Sequence, residues 1–170
     1  TAAMRVAASV WGFDKALMVE ENDTDAMKFN RAEVLHNLPF YVDELTNHKS
    51  EKLSNLAYQL SSGQQRGRMS GGSNLERVRG EPWKFLTVTT GNASVIERIA
   101  LEKQAPKAEA QRMMEWPAQK VFGSTAEKRD TDLFDEAVEA NYGHAGIIFI
   151  QHVMQNLDEV KVKLKEVQQR

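Results

Sequence analysis

The chain has 170 residues, 41% hydrophobic and 27% charged, a size and balance suited to one globular domain able to bury its own core. Lys+Arg 22 against Asp+Glu 24 leave a formal charge of −2, so contact with nucleic acid has to come from a local basic patch, and the lack of cysteine excludes a disulfide framework, a thiolate zinc site and a cysteine nucleophile. The longest apolar run, residues 145–150, is too short to span a bilayer and the N-terminus lacks a signal-peptide layout, so a cytoplasmic protein with no membrane role is expected.

Thr1 to Trp11 reads as an amphipathic helix already under way, with no capping residue before it, and Gly12 is suited to end it. Ala16 to Val19 is a short apolar run of the kind a buried parallel strand shows. Asp23 and Thr24 can cap a helix running to about Leu35, with Ala26, Met27, Ala32 or Arg31, and Leu35 on its partly buried face; Pro39 stops it. Leu38 to Leu45 predicts a compact strand that ends in two acids, Asp43 and Glu44. A helix over 50–61 follows, with Leu53, Leu56, Ala57 and Leu60 at helical spacing. Residues 62–80, rich in Gly, Ser and Arg, form a long loop or hairpin; Trp83 to Thr90 predicts a strand ending at Gly91-Asn92; and 93–102 returns to helix. Arg112 to Trp116, closed by Pro117, fits a short edge or final strand. Thr131 can cap a helix through Ala140, and Ile147, Ile148, Phe149, Val153, Met154, Leu157 and Val160 form the apolar stripe of one long terminal helix. Strands separated by helices, with few tight hairpins, predict a mostly parallel α/β sheet with a helical region appended.

The chemistry concentrates at strand ends. Asp43-Glu44 supplies two carboxylates where a P-loop nucleotidase needs them, one to hold Mg²⁺ and the next to polarise the water that attacks the γ-phosphate. Asn92 ends the next strand, where a neutral amide can fix that water. Arg66, Arg68, Arg77 and Arg79 lie among glycines and serines in the long loop, a composition suited to phosphate contacts with DNA. The residues taken singly leave plainer readings open: an acidic pair that caps the next helix, a Gly-Asn turn, and a solvated loop. The four histidines have no metal-ligand spacing, and the methionines read as core filler.

TAAMRVAASVWG, LHNLPFYVDELT, YQLSSGQQRGRM, TVTTGNAS, QRMMEWPA and NYGHAGIIFIQHV, in this order, resemble a phage and mobile-element family of P-loop ATPases, helicases and their inactivated derivatives that are similar to superfamily-three and AAA+ primase-helicases. The resemblance covers nearly the whole chain. It implies a P-loop ATPase core over residues 1–125, lacking its first strand and phosphate-binding loop, with a helical region over 126–170 packed on it. It places Thr1 directly after a G-x-x-x-x-G-K motif as the hydroxyl that contacts Mg²⁺. It further implies Asp43 and Glu44 as the Walker B pair, Asn92 as first sensor, and Arg112 as an arginine finger for a neighbouring subunit's nucleotide, with Arg98 and Arg129 as alternatives. In related ring helicases a hairpin at the position of the arginine loop grips DNA in the central channel. The implied activity is ATP hydrolysis with Mg²⁺ coupled to movement along DNA, single-stranded within a ring, by a homo-oligomer, as a hexamer, in the host cytoplasm if phage-encoded. The alternatives are a catalytically inactive DNA-binding or assembly module of the same fold, and a purely structural helical interaction domain.

Overall fold

The computed structural model describes residues 2–20, 22–67, 69, 72, 75, 76, 78–102, 107–118 and 128–169. Its centre is a three-stranded parallel sheet in the order β1 (Met18–Val19), β2 (Phe40–Val42), β3 (Thr87–Thr89). Met18 is in register with Tyr41 and Tyr41 with Val88, while Val19 pairs with Val42 and Val42 with Thr89.

The strands are short, yet the alternation of side chains across them separates two cores. Val19, Phe40 and Val42 point to one face, where they meet α3 (Asp25–Leu35), α4 (Ser50–Ser61) and α5 (Val95–Glu102) through Phe29, Ala32, Leu35, Leu53, Leu56, Leu60, Val95 and Ile99. Tyr41, Met18 and Val88 point to the other, where α1 (Ala2–Ser9) packs Met4 and Ala8. The result is a sheet covered by helices on both sides, the arrangement parallel strands require because both their faces are apolar.

Local sequence accounts for most boundaries. Thr24 caps α3 by accepting a hydrogen bond from the Met27 amide at 3.3 Å. The buried face of α3 is Lys28, Phe29, Ala32 and Leu35, with Met27 partly buried against the same core and Ala26 exposed. Phe29 wins because its ring stacks on Trp83 with centroids 6.3 Å apart, and Trp83 continues through Phe85 at 5.9 Å to Phe40 at 5.1 Å. Trp83 is buried and its indole N–H donates to the Leu60 carbonyl at 2.9 Å. α4 follows its sequence pattern, with Leu53, Leu56 and Leu60 turned inward.

Several expectations are corrected. Residues 14–17 form a single helical turn, α2 (Asp14–Leu17), so β1 keeps only two residues of the expected strand. Arg112 to Trp116 is no strand: it follows a short helix, α6 (Lys107–Ala110), as unpaired chain, since Glu115 points back to α5. Thr131 lies inside α7 (Lys128–Ala140) and does not cap it. The expected long terminal helix is two, α8 (His144–Gln155) and α9 (Leu157–Gln168), divided at Asn156 (φ −121°, ψ 33°). Its apolar stripe is largely exposed, with Ile147, Ile148, Phe149, Met154 and Leu157 all open to solvent.

The C-terminal helices dock on α1 through backbone. Gly143 N–H donates to Ser9 O at 2.7 Å and Gly146 N–H to Val10 O at 2.8 Å. A Cβ at Gly146 would lie 2.6 Å from Val10 O, so only glycine permits this approach. Trp11 and Phe149 make an edge contact beside it at 6.0 Å.

Tyr41 supplies a pH-dependent element. Its phenol donates to Ala7 O at 3.0 Å beneath α1, and burial raises its pKa above the ordinary 10.0. A raised folded value means the contribution is complete below pH 10.0 and is lost as pH rises through that folded value. Urea midpoints measured at about pH 8 and about pH 11 should therefore fall less for Tyr41→Phe than for the unaltered chain.

Among the described residues no helix is long and apolar enough to cross a membrane.

Candidate functional site

The C-terminal ends of β2 and β3 build one corner. β2 ends at Val42, and the Asp43 amide still donates to Val19 O at 3.0 Å, which holds Asp43 at the tip of the sheet. The next residue leaves the strand abruptly: Glu44 is left-handed (φ 49°, ψ 47°), and Leu45 returns to β3 by donating to Thr90 O at 3.1 Å. A 3-10 turn, Leu45–Asn47, then leads to α4.

Thr90 connects the two strand ends. Its hydroxyl donates to Asp43 Oδ1, and Asp43 Oδ1 also accepts the Glu44 amide at 3.1 Å. These bonds fix the Asp43 carboxylate on the sheet axis, while the Glu44 side chain is exposed beyond it. Asn92 is exposed on the neighbouring turn, where its backbone N–H donates to the buried Thr46 hydroxyl at 3.1 Å. Gly91 is required by the same contact, since a Cβ there would stand 2.4 Å from Thr46 Cγ2. Asp43, Glu44 and Asn92 thus come to one corner, held by Thr90 and Thr46. Neither threonine stands out in the sequence, because β-branched residues at a strand end and in a turn carry no marker of their partners.

The carboxylates do not act as helix caps. Glu44 precedes the 3-10 turn without a side-chain capping bond, and α4 starts after Lys49, which also makes none. The left-handed backbone at Glu44 is instead a local cost, on the order of 1–2 kcal/mol for a residue with a Cβ. Glu44→Gly should therefore raise stability by up to about 1 kcal/mol, read as a shift of the denaturant midpoint at unchanged slope. A lower midpoint would show that the carboxylate itself supports the fold.

Glu115 braces the corner from behind. Its carboxylate accepts from the Val95 amide at 2.8 Å, the Ile96 amide at 3.2 Å and the Ser94 hydroxyl at 2.6 Å, satisfying the first turn of α5 three residues after Asn92.

The other expected residues lie elsewhere. Arg112 donates to Ala108 O at 2.6 Å and lies over the Tyr58 ring at 4.6 Å, near the C-terminal end of α4. α4 spans about 18 Å, and Tyr58 stands in its C-terminal third. The arginine loop is rooted just past the C-terminal end of α4, where the Trp83 amide donates to Gly63 O at 2.8 Å. Within it Met69 and Glu76 form an antiparallel bridge and Arg79 pairs with Glu76 at 3.6 Å, the hairpin alternative of the sequence reading. Arg66 turns back along α4 and lines a cleft of about 240 Å³ with Lys49, Lys52, Asp25 and Glu51. Thr1, Arg68 and Arg77 lie outside the described residues.

The corner offers only oxygen donors, which suit a hard cation. Among the described residues no group of three or more His, Asp or Glu side chains gathers as a metal site. Mg²⁺ at phosphates is commonly held by one or two carboxylates with phosphate and water oxygens, so an adjacent Asp and Glu fit that chemistry.

Residues 1–79 are similar to a family described as a domain of unknown function, DUF927. The similar stretch takes in α1–α4, β1, β2 and the Asp43-Glu44 pair, and stops within the arginine loop, before Asn92. No curated protein and no solved structure matches the chain significantly.

Proposed function

We propose that this chain is the ATPase core of a DNA motor of the P-loop class, acting in replication of a phage or mobile element. The observation that carries the reading is the corner itself: an Asp-Glu pair leaving the central parallel strand, tied through Thr90 to the strand whose exit bears Asn92. Ligands of parallel α/β sheets bind outside the carboxyl ends of the strands, and these three residues follow the carboxyl ends of β2 and β3.

In this reading Mg²⁺ would neutralise charge on the bound triphosphate, and Asp43 would hold it with Thr1. Glu44, exposed and projecting beyond Asp43, would accept a hydrogen bond from the attacking water, and Asn92 would orient that water from the adjacent turn. Thr90, by donating to Asp43 Oδ1, would keep the carboxylate aimed along the sheet. Arg112 would reach toward the nucleotide of a neighbouring subunit in a ring. Arg66 and Arg79, with Arg68 and Arg77, would contact DNA phosphates.

The test is steady-state ATP hydrolysis, with and without single-stranded DNA, by a chain extended upstream of Thr1 to include the phosphate-binding loop. Glu44→Gln should lower DNA-stimulated turnover by on the order of 10²–10³ with nucleotide binding retained. A folded protein that binds DNA without turnover would support the inactive module instead.

A further inference from the structure

A groove between α3 and α4 carries three cations. Lys49, Lys52, Asn55 and Gln59 follow one another at intervals of three and four, so they form a single row along about 15 Å of helix, and Arg66 turns back from the arginine loop to join it. Phe29 and Leu56, both buried, make the floor, while the exposed Asp25 and Glu51 stand at the rim.

The acids have a local reason to be there and the lysines do not. Asp25 opens α3 and Glu51 lies in the first turn of α4, where negative charge complements the helix dipole. Lys49 is the N-cap of α4 and makes no side-chain capping bond, and Lys52 is the third residue of the helix, so both put positive charge at its positive end. Asp25 offsets Lys52 only across 3.7 Å, between side chains 52% and 41% exposed, and such a pair contributes little. An anion lying in the groove relieves the repulsion felt by both lysines.

The shape says what kind of anion fits. The volume, about 240 Å³, is smaller than the ~300–1,000 Å³ of pockets that enclose a complete small molecule. Drawn out along about 15 Å of α4, it is a trough suited to a chain that passes through. A stacked nucleic-acid strand advances about 3.4 Å per nucleotide, so the row spans about four of them. The side-chain amides of Asn55 and Gln59 carry both donors and acceptors, which base and sugar edges of any sequence can use.

We propose that this groove is a track for single-stranded DNA, with Lys49, Lys52 and Arg66 on its phosphates and Asn55 and Gln59 on its base and sugar edges. The choice of DNA rests on the motor reading. Arg66 joins the track to the arginine loop, so a strand gripped by the loop continues along α4.

The test is fluorescence anisotropy of a labelled oligothymidylate titrated with the full chain over a series of salt concentrations. Lys49→Ala/Lys52→Ala should weaken binding more than about tenfold at about 0.1 M salt, and should lower the slope of log K against log salt by about 1.4, the value for two single-strand phosphate contacts. The urea midpoint of this variant should not fall, because the lysines oppose the dipole of α4. Asp25→Asn removes a rim carboxylate and releases Lys52, so it should tighten binding by about two- to fivefold. Lys161→Ala/Lys163→Ala removes the same charge from α9 and should change neither affinity nor slope. An unchanged slope in Lys49→Ala/Lys52→Ala, an equal loss in the α9 pair, or weaker binding by Asp25→Asn would each overturn the track. If Arg79→Ala then still weakens binding, the DNA reading stands without the track. An unaltered chain that does not bind the oligonucleotide would remove both.

Discussion

Phe40→Ala is expected to lower the free energy of unfolding by about 4 kcal/mol, the range for removing a fully buried phenylalanine. Phe40 is 0% exposed on the central strand, and its ring is the terminus of the stack that runs through Phe85 and Trp83 to Phe29. The loss therefore combines transfer of the ring, a cavity beside β2 and one aromatic contact. Domains of this size retain about 5–15 kcal/mol in all, so the variant should be near the limit of folding at physiological temperature. Urea titration followed by tryptophan fluorescence is the measurement, because Trp83 reports directly on the stack. Phe40→Leu, which fills most of the volume, should recover well over half of the loss. Equal effects of the two changes would mean that ring stacking, and not volume, holds this part of the core.

The second large effect is expected on the other face of the sheet. Arg5 on α1 donates through Nε to Asp14 Oδ2 at 2.5 Å and through Nη1 to Asp135 on α7, and its guanidinium lies over Phe134 at 5.5 Å. Asp14 is 1% exposed, so Arg5→Ala strands a carboxylate without its cation and should cost about 3 kcal/mol. Arg5→Lys should restore only part of this, since an ammonium cannot present two directed donors to carboxylates on different elements. The hydrogen bonds to Asp14 and then to Asp135 raise the pKa of Arg5 above the ordinary arginine value. The stabilisation is thus complete below that value and fades only as pH rises through the higher folded one, so the loss in Arg5→Ala should be flat from pH 6 to 9 as far as Arg5 itself is concerned. Thermal melts across that interval, with Asp135→Asn as a comparison, separate the buried bond to Asp14 from the more exposed one.

These two sites show why the sequence revealed one core and concealed the other. Phe40 and Val42 announce themselves as a short apolar strand, and Leu53, Leu56 and Leu60 as a helix face, because period and hydrophobicity are local properties. Arg5, Asp14 and Asp135 carry no such mark. Their bonds join residues 9 and 130 positions apart, a proximity that depends on how α1, α2 and α7 pack.

The same division holds at the candidate site. The sequence by itself determined that two carboxylates follow the central strand, that Gly-Asn follows the next, and that Thr24 begins α3. These are consequences of chain-local preference: β-branched and aromatic runs extend, glycine and asparagine turn, and threonine caps. Only the tertiary structure decided that Thr90 grips Asp43, that Thr46 receives the Asn92 amide, that Glu44 takes a left-handed backbone, and that Arg112 lies at the far end of α4. It also decided that Arg112 to Trp116 stays unpaired and that the apolar stripe of α8 and α9 faces outward. Sheet pairing, exposure and side-chain partnership depend on which elements arrive beside one another, and a residue's own neighbours in sequence do not contain that information.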